Sequence, residues 1–133
     1  MKGQGAFLNN TPIKVSAKSQ LRSALAATAH AGKMVEEFAN TGKFVQNIKT
    51  LTGLVAAIRV LGPASLQLAY VACGRIDAYS EHGKDIHDRI GAALLVTEAG
   101  GIVKSAPGAT FDFNSGSIVA SNPLLIENML RAV

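Results

Sequence analysis

Residues 62–103 read GPASLQLAYVACGRIDAYSEHGKDIHDRIGAALLVTEAGGIV, and their punctuation fixes a local order of elements. Pro63 suits a first helical position and Gly74 a helix stop, so 63–74 reads as a helix. Strand-like alternation follows in RIDAYSE (75–81). A second helix is expected over 88–101, closed by Gly100-Gly101, and IVKS (102–105) follows as a strand. Between strand and helix the chain crowds Glu81, His82, Lys84, Asp85, His87, Asp88 and Arg89 into nine residues, then turns apolar. A metal site, an acid/base pair and a solvated turn are all compatible with those residue types. Asp88 opens a helix, where first-turn amides and the macrodipole favour an anion or simply a cap.

Working outward, GAFLNNTPIKVS (5–16) has the form of a hairpin, two short β-like runs around Asn9-Asn10, a pair that tolerates left-handed turn geometry. ALAATA (24–29) and AIRVLG (57–62) read as strands. From Met34 to Leu51 apolar residues recur at helical spacing, with Gly42 weakening the middle enough to suggest two helices. SIVAS (117–121) is a last strand, and Asn122 with Pro123 behind it starts a terminal helix. Strands alternating with helices indicate a single layered α/β domain over 1–133. The helices from 63 and 88 are apolar around most of their circumference. Such burial calls for layers on both faces, more than 133 residues readily provide.

The bulk composition agrees. The 133 residues are 48% hydrophobic and 17% charged, with 13 Gly and no Trp, which indicates ordinary globular folding. The 13 Lys and Arg give a net charge of +4 but are scattered singly, arguing against a nucleic-acid partner. A phosphorylated small molecule suits that mild balance. The one cysteine, Cys73, excludes an internal disulfide and reads as a buried structural thiol in LQLAYVACG. The N-terminus lacks a signal-peptide stretch and no apolar run is long enough for a membrane span, so the expectation is a reducing cytoplasm and no membrane partner.

The whole pattern strongly resembles the C-terminal half of the inositol monophosphatase family. The family shows a Gly-Ser/Thr-Ala-Ala helix start, an Ala-Gly-x-x-Asp-Ala-Tyr strand ending in Glu, then Trp-Asp, and a helix closing in Glu-Ala-Gly-Gly. Its Gly-x-Gly-Ala-Phe-x-Asn-Gly-x-x-Ile-x-Val-Ser hairpin is similar to KGQGAFLNNTPIKVS. The resemblance implies an α/β layered sandwich, the C-terminal lobe of that fold, with a mixed sheet flanked by helices. It also implies that hairpin 5–16 belongs to the sheet of an N-terminal lobe.

By the same resemblance the activity is Mg²⁺-dependent hydrolysis of a phosphate monoester, inositol 1-phosphate to inositol, with the metal polarising phosphate and activating water. Asp88 maps to a metal ligand, Glu81 to a contact with the substrate's ring hydroxyls, and Gly62 and Ala64 to the loop against the substrate. His82 and His87 are read as non-ligands, and Lys84 and Asp85 as solvated turn residues. Two departures stand out: Pro63 replaces the Ser/Thr of the loop, removing a hydroxyl and an N–H donor, and His87 replaces the Trp. The family's remaining ligands come from an N-terminal Glu-Glu segment and Asp-Pro-x-Asp-Gly-Thr, and this chain starts midway through the pattern. One carboxylate does not hold Mg²⁺ usefully. The expectation is a lobe inactive without its N-terminal half, pairing with that half or forming a homo-oligomer. The alternative is a non-catalytic interaction or regulatory relative that pairs with a complete phosphatase chain, and a weaker third reading is a free-standing domain binding a phosphorylated ligand.

Overall fold

A six-stranded mixed sheet organises the chain in the computed structural model, which describes residues 2–30, 38–83 and 86–133. The expected helix start at Met34 and the turn residues Lys84 and Asp85 lie outside the described residues. In chain order the elements are β1 (Phe7–Leu8), β2 (Thr11–Pro12), β3 (Leu25–Thr28), α1 (Phe38–Thr52), β4 (Ala57–Arg59), α2 (Ala64–Ala72), β5 (Ala78–His82), α3 (His87–Glu98), β6 (Ile102–Ser105), β7 (Ala109–Thr110), β8 (Ser117–Ser121) and α4 (Ile126–Ala132). A single 3-10 turn at Leu21–Ser23 precedes β3.

The sheet order is β4-β3-β5-β8-β6-β7. β3 pairs parallel with β4 and β5, while β8 runs antiparallel to both β5 and β6, so β6 is parallel to β5. Three β–helix–β crossovers result. A crossover between parallel strands is right-handed, so its direction across the sheet decides which face its helix covers. The step from β3 to β4 runs one way; the steps from β4 to β5 and from β5 to β6 run the other. Accordingly α2 and α3 pack together over one face with Ala27, Tyr79, Ile118 and Ala120, and α1 and α4 cover the other with Ala26, Ala78 and Val119. Alternate residues of each strand feed the two cores, the expected period of two. Helices therefore lie on both faces of the sheet, as the mixed sheet flanked by helices was expected to have. The outward surface of α2 and α3 stays partly open, with Leu66 and Leu94 exposed.

Several boundaries differ from the sequence reading: β4 ends at Arg59 and not at 62, β5 starts at Ala78 and not at 75, α3 ends at Glu98 and not at 101, and three further differences have a local physical reason. α1 runs unbroken through Gly42, because Asn47 and Leu51, downstream of it, are buried against the sheet and half-buried Phe44 meets His30 edge-on. Pro63 is the N-cap residue, with the helix beginning at Ala64. Asn122 caps a turn, its Oδ1 accepting from the N–H groups of Leu124 and Leu125 at 2.9 Å each, and α4 begins only at Ile126.

The hairpin forms its own two-stranded sheet, separate from the six-stranded one. Asn9 and Asn10 both take positive φ (50° and 64°), the type I′ geometry that matches the strand twist. Its root is tied to α3: the backbone N–H groups of Gly3 and Gly5 donate to the two carboxylate oxygens of Glu98 at 2.7 and 2.8 Å, and Val15 N–H donates to Ala99 O. Those amides hold the Glu98 carboxyl below its usual range.

Candidate functional site

The crossovers place the C-terminal ends of β3, β4 and β5 on one edge of the sheet, together with the N-termini of α1, α2 and α3. In open α/β sheets this edge, where the chain reverses its direction across the sheet, is where ligands bind. All four residues singled out from the sequence sit there. Glu81 is the penultimate residue of β5, Asp88 lies in the first turn of α3, Gly62 follows β4, and Ala64 opens α2.

Their environments differ. Asp88 is exposed, beside first-turn amides that favour an anion. Glu81 is buried, 5% exposed, and held on two sides. The Tyr79 hydroxyl, on the same face of β5 two residues back, donates to its Oε2 at 2.6 Å. Arg89, the residue after Asp88, brings its Nε to 3.4 Å from the same oxygen. Burial, then the charge and hydrogen bond of Glu81, push the Tyr79 hydroxyl far above its ordinary value of 10, so it remains a donor. Gly62 has φ +98°, a conformation that L side chains rarely adopt, and no neighbour within 4 Å of where a Cβ would stand. Buried Gln67 fixes that loop, its Nε2 donating to Gly62 O at 3.0 Å and its Oε1 accepting from Leu61 N–H at 3.3 Å. Pro63, as N-cap, supplies no side-chain cap.

His82 is half-buried on the opposite face of β5 from Glu81, toward Lys43 and Asn47 of α1. Burial first, then the Lys43 and Arg89 cations, hold its imidazole below its usual value, so it is neutral at pH 7. His87 is exposed at the start of α3. Sequence reasoning missed Tyr79, Gln67 and Arg89. Tyr79 was legible as the residue two before Glu81 on one strand face, and Gln67 as the lone polar side chain in LQLAYVA. Arg89 carried no such signal, because a charged residue beside a helix start reads as solvated.

Mg²⁺ requires six oxygen ligands at short range. Among the described residues no three His, Cys, Asp or Glu side chains converge to hold a metal ion. Asp88 offers one exposed carboxylate, and Glu81 is engaged by Tyr79 and Arg89. These residues by themselves do not fit the metal; they fit one part of its ligand set. No helix among the described residues is long and apolar enough to cross a membrane.

Comparison with known proteins gives the same reading over the whole chain. The inositol monophosphatase family profile matches residues 1–133. The chain is 37% identical over 132 residues to the Nus factor SuhB of Pseudomonas aeruginosa, covering 99% of this chain and 48% of that one. It is 39% identical over 123 residues to the inositol-1-monophosphatase of Rhizobium meliloti, covering 91% and 44%. Among solved structures, the extragenic suppressor protein suhB of Bartonella henselae superposes with a TM-score of 0.88 at 33% identity, over 98% of this chain and 49% of that one. The inositol monophosphatase of Anabaena gives 0.87 at 34% identity, over 98% and 50%. The chain thus spans about half the length of the relatives it matches. With the profile match running from its first residue to its last, and the mixed sheet and helix layers superposing on solved members, the chain belongs to the inositol monophosphatase family.

Proposed function

We propose that this chain is the C-terminal lobe of a Mg²⁺-dependent phosphatase acting on inositol phosphate, and that it works only with an N-terminal half beside it. The observation that carries the reading is the position of Asp88, in the first turn of α3 at the edge where Glu81 also stands, one residue before the end of its strand. In this reading Asp88 supplies one oxygen ligand to the metal, and the first-turn amides of α3 face the substrate phosphate. Glu81 accepts a hydrogen bond from a ring hydroxyl, with Tyr79 and Arg89 fixing its rotamer. Gly62 and Ala64 form the wall of the substrate loop, held by Gln67. Metal-assisted hydrolysis needs ligands from the other half, so the assembled site acts where this lobe alone does not. Hairpin 5–16 extends a sheet of that half; a free two-stranded hairpin is marginal in water, and Phe7 and Leu8 are exposed.

The test is Mg²⁺-dependent phosphate release from inositol 1-phosphate, measured on this chain with and without the N-terminal half of a full-length relative. Activity should appear only in the mixture, and Asp88→Asn should remove at least 99% of it while shifting stability by under about 1 kcal/mol, the size of a lost helix-terminus charge. Robust hydrolysis by the chain alone would sink the claim that the site needs a second half.

A second reading has an observation in its favour: the Pseudomonas relative carries the name of a Nus factor, not of a phosphatase. In that reading the chain is a non-catalytic interaction subunit that pairs with a complete family member. Stable association with a complete phosphatase, and no hydrolysis in any mixture, would favour it.

A further inference from the structure

Arg89 is the largest fully buried side chain among the described residues, and it sits one position after an exposed aspartate. Its Nη1 donates to the backbone carbonyl of Gly83 at 2.7 Å. Its Nε stands 3.4 Å from Glu81 Oε2, and neither Nε nor Nη2 makes a hydrogen bond. A guanidinium so enclosed and so incompletely bonded is tolerated only because a carboxylate lies beside it. The two groups it reaches belong to the end of β5 and to the loop that leads into α3, while Arg89 itself belongs to the first turn of α3. One side chain therefore bridges the strand that carries Glu81 and the helix turn that carries Asp88. The Tyr79 hydroxyl donates to the same Glu81 oxygen.

We propose that Arg89 is a positioning residue that sets the separation between Glu81 and Asp88. Arg89 touches neither substrate nor metal; it acts through Glu81 and the Gly83 carbonyl. The inference rests on the site roles given above for Glu81 and Asp88, but the clamp itself is a property of this chain and can be measured without activity. An Arg suits the task better than a Lys, because its planar fork reaches two acceptors at fixed angles and keeps its charge when buried.

The first arm is amide hydrogen exchange on the 133-residue chain, comparing wild type with Arg89→Met and Arg89→Lys. Arg89→Met should speed exchange at residues 81–83 and 88–91 at least tenfold, with β8 and α4 changed less than threefold, and Arg89→Lys should fall between. Exchange within threefold of wild type at 81–83 and 88–91, or an equal rise across the whole sheet, would overturn the proposal. If Arg89→Met does not fold, Glu81→Gln/Arg89→Met, which removes both charges, takes its place and should show the same local pattern. The second arm uses the reconstituted phosphatase. Arg89→Met should raise KM for the ester at least tenfold, as Glu81→Gln does, with Arg89→Lys restoring part of it. The double variant should lose no more than Glu81→Gln alone. Additive losses would mean that Arg89 does not act through Glu81. If no mixture hydrolyses the ester, the functional reading fails while the exchange arm still decides for or against the clamp.

Discussion

Gly100 and Gly101 follow one another at the end of α3 but are glycine for different reasons, and substitution separates them. Gly100 N–H donates to Thr97 O and Gly101 N–H to Val96 O, the paired bonds of a Schellman stop after Ala99. Gly100 has φ +85° and open space around it, so Gly100→Ala should cost about 1 kcal/mol of left-handed strain and little else. Gly101 has no positive φ, yet a Cβ there would stand 2.6 Å from Val96 Cγ1, 2.9 Å from Val15 Cγ1 and 3.0 Å from the Ser121 carbonyl oxygen. Those atoms belong to α3, the hairpin's trailing segment and β8, so no single side-chain shift relieves all three. Val96 is fully buried and has nowhere to move. Overpacking of this kind costs roughly 1–3 kcal/mol, and the backbone oxygen puts Gly101→Ala at about 3. For a chain of this size that lowers Tm by roughly 10 °C, against about 4 °C for Gly100→Ala. Thermal melts followed by far-UV circular dichroism measure both. Adding Val15→Ala to Gly101→Ala should recover only a minor part, because Val96 and the Ser121 carbonyl remain. A Gly101→Ala melt within 2 °C of wild type would refute the steric reasoning.

Two further outcomes follow from buried or strained groups away from the site. Asp77, 3% exposed, accepts from Leu25 N–H at 2.7 Å and from Lys18 Nζ at 2.9 Å. Burial pushes its carboxyl up, but the hydrogen bonds from Leu25, Ser16 and Lys18 and the Lys18 charge outweigh that and hold it below 3.8. Its contribution is therefore complete above about pH 4 and lost as pH falls through the lower folded value. Asp77→Ala should cost about 2 kcal/mol at pH 7 in urea melts, and the variant should lose less stability than wild type between pH 5 and pH 3; equal losses would refute the assignment. In the hairpin, Asn9→Val places a branched side chain at φ 50° and should cost about 1–2 kcal/mol, whereas Asn10→Gly should be neutral or stabilising. Protease nicking between residues 8 and 11, together with Tm, reads out both.

The site was partly legible in the sequence. The resemblance to inositol monophosphatases marked Glu81, Asp88, Gly62 and Ala64 as candidates, whereas the residue types and their spacing alone left a metal site, an acid/base pair and a solvated turn equally open. The side chains that hold them were not marked. Gln67 reaches back to Leu61 and Gly62 only because α2 packs with that face inward, and Arg89 turns into the protein because α3 lies against the end of β5. Neither direction is contained in the residue's immediate neighbours.

The division is general across this chain. The sequence by itself determined what depends on a few adjacent residues: β6 at Ile102–Ser105, β8 at Ser117–Ser121, the Asn9-Asn10 turn and the glycine stop of α3. Periodicity, positive φ and helix stops act over one or two turns of chain. Only the tertiary structure decided the strand order, the face each helix covers, the continuity of α1 through Gly42 and the burial of a full guanidinium beside Glu81. These depend on contacts between distant segments, where crossover handedness and the burial of charge next to charge outweigh local preference.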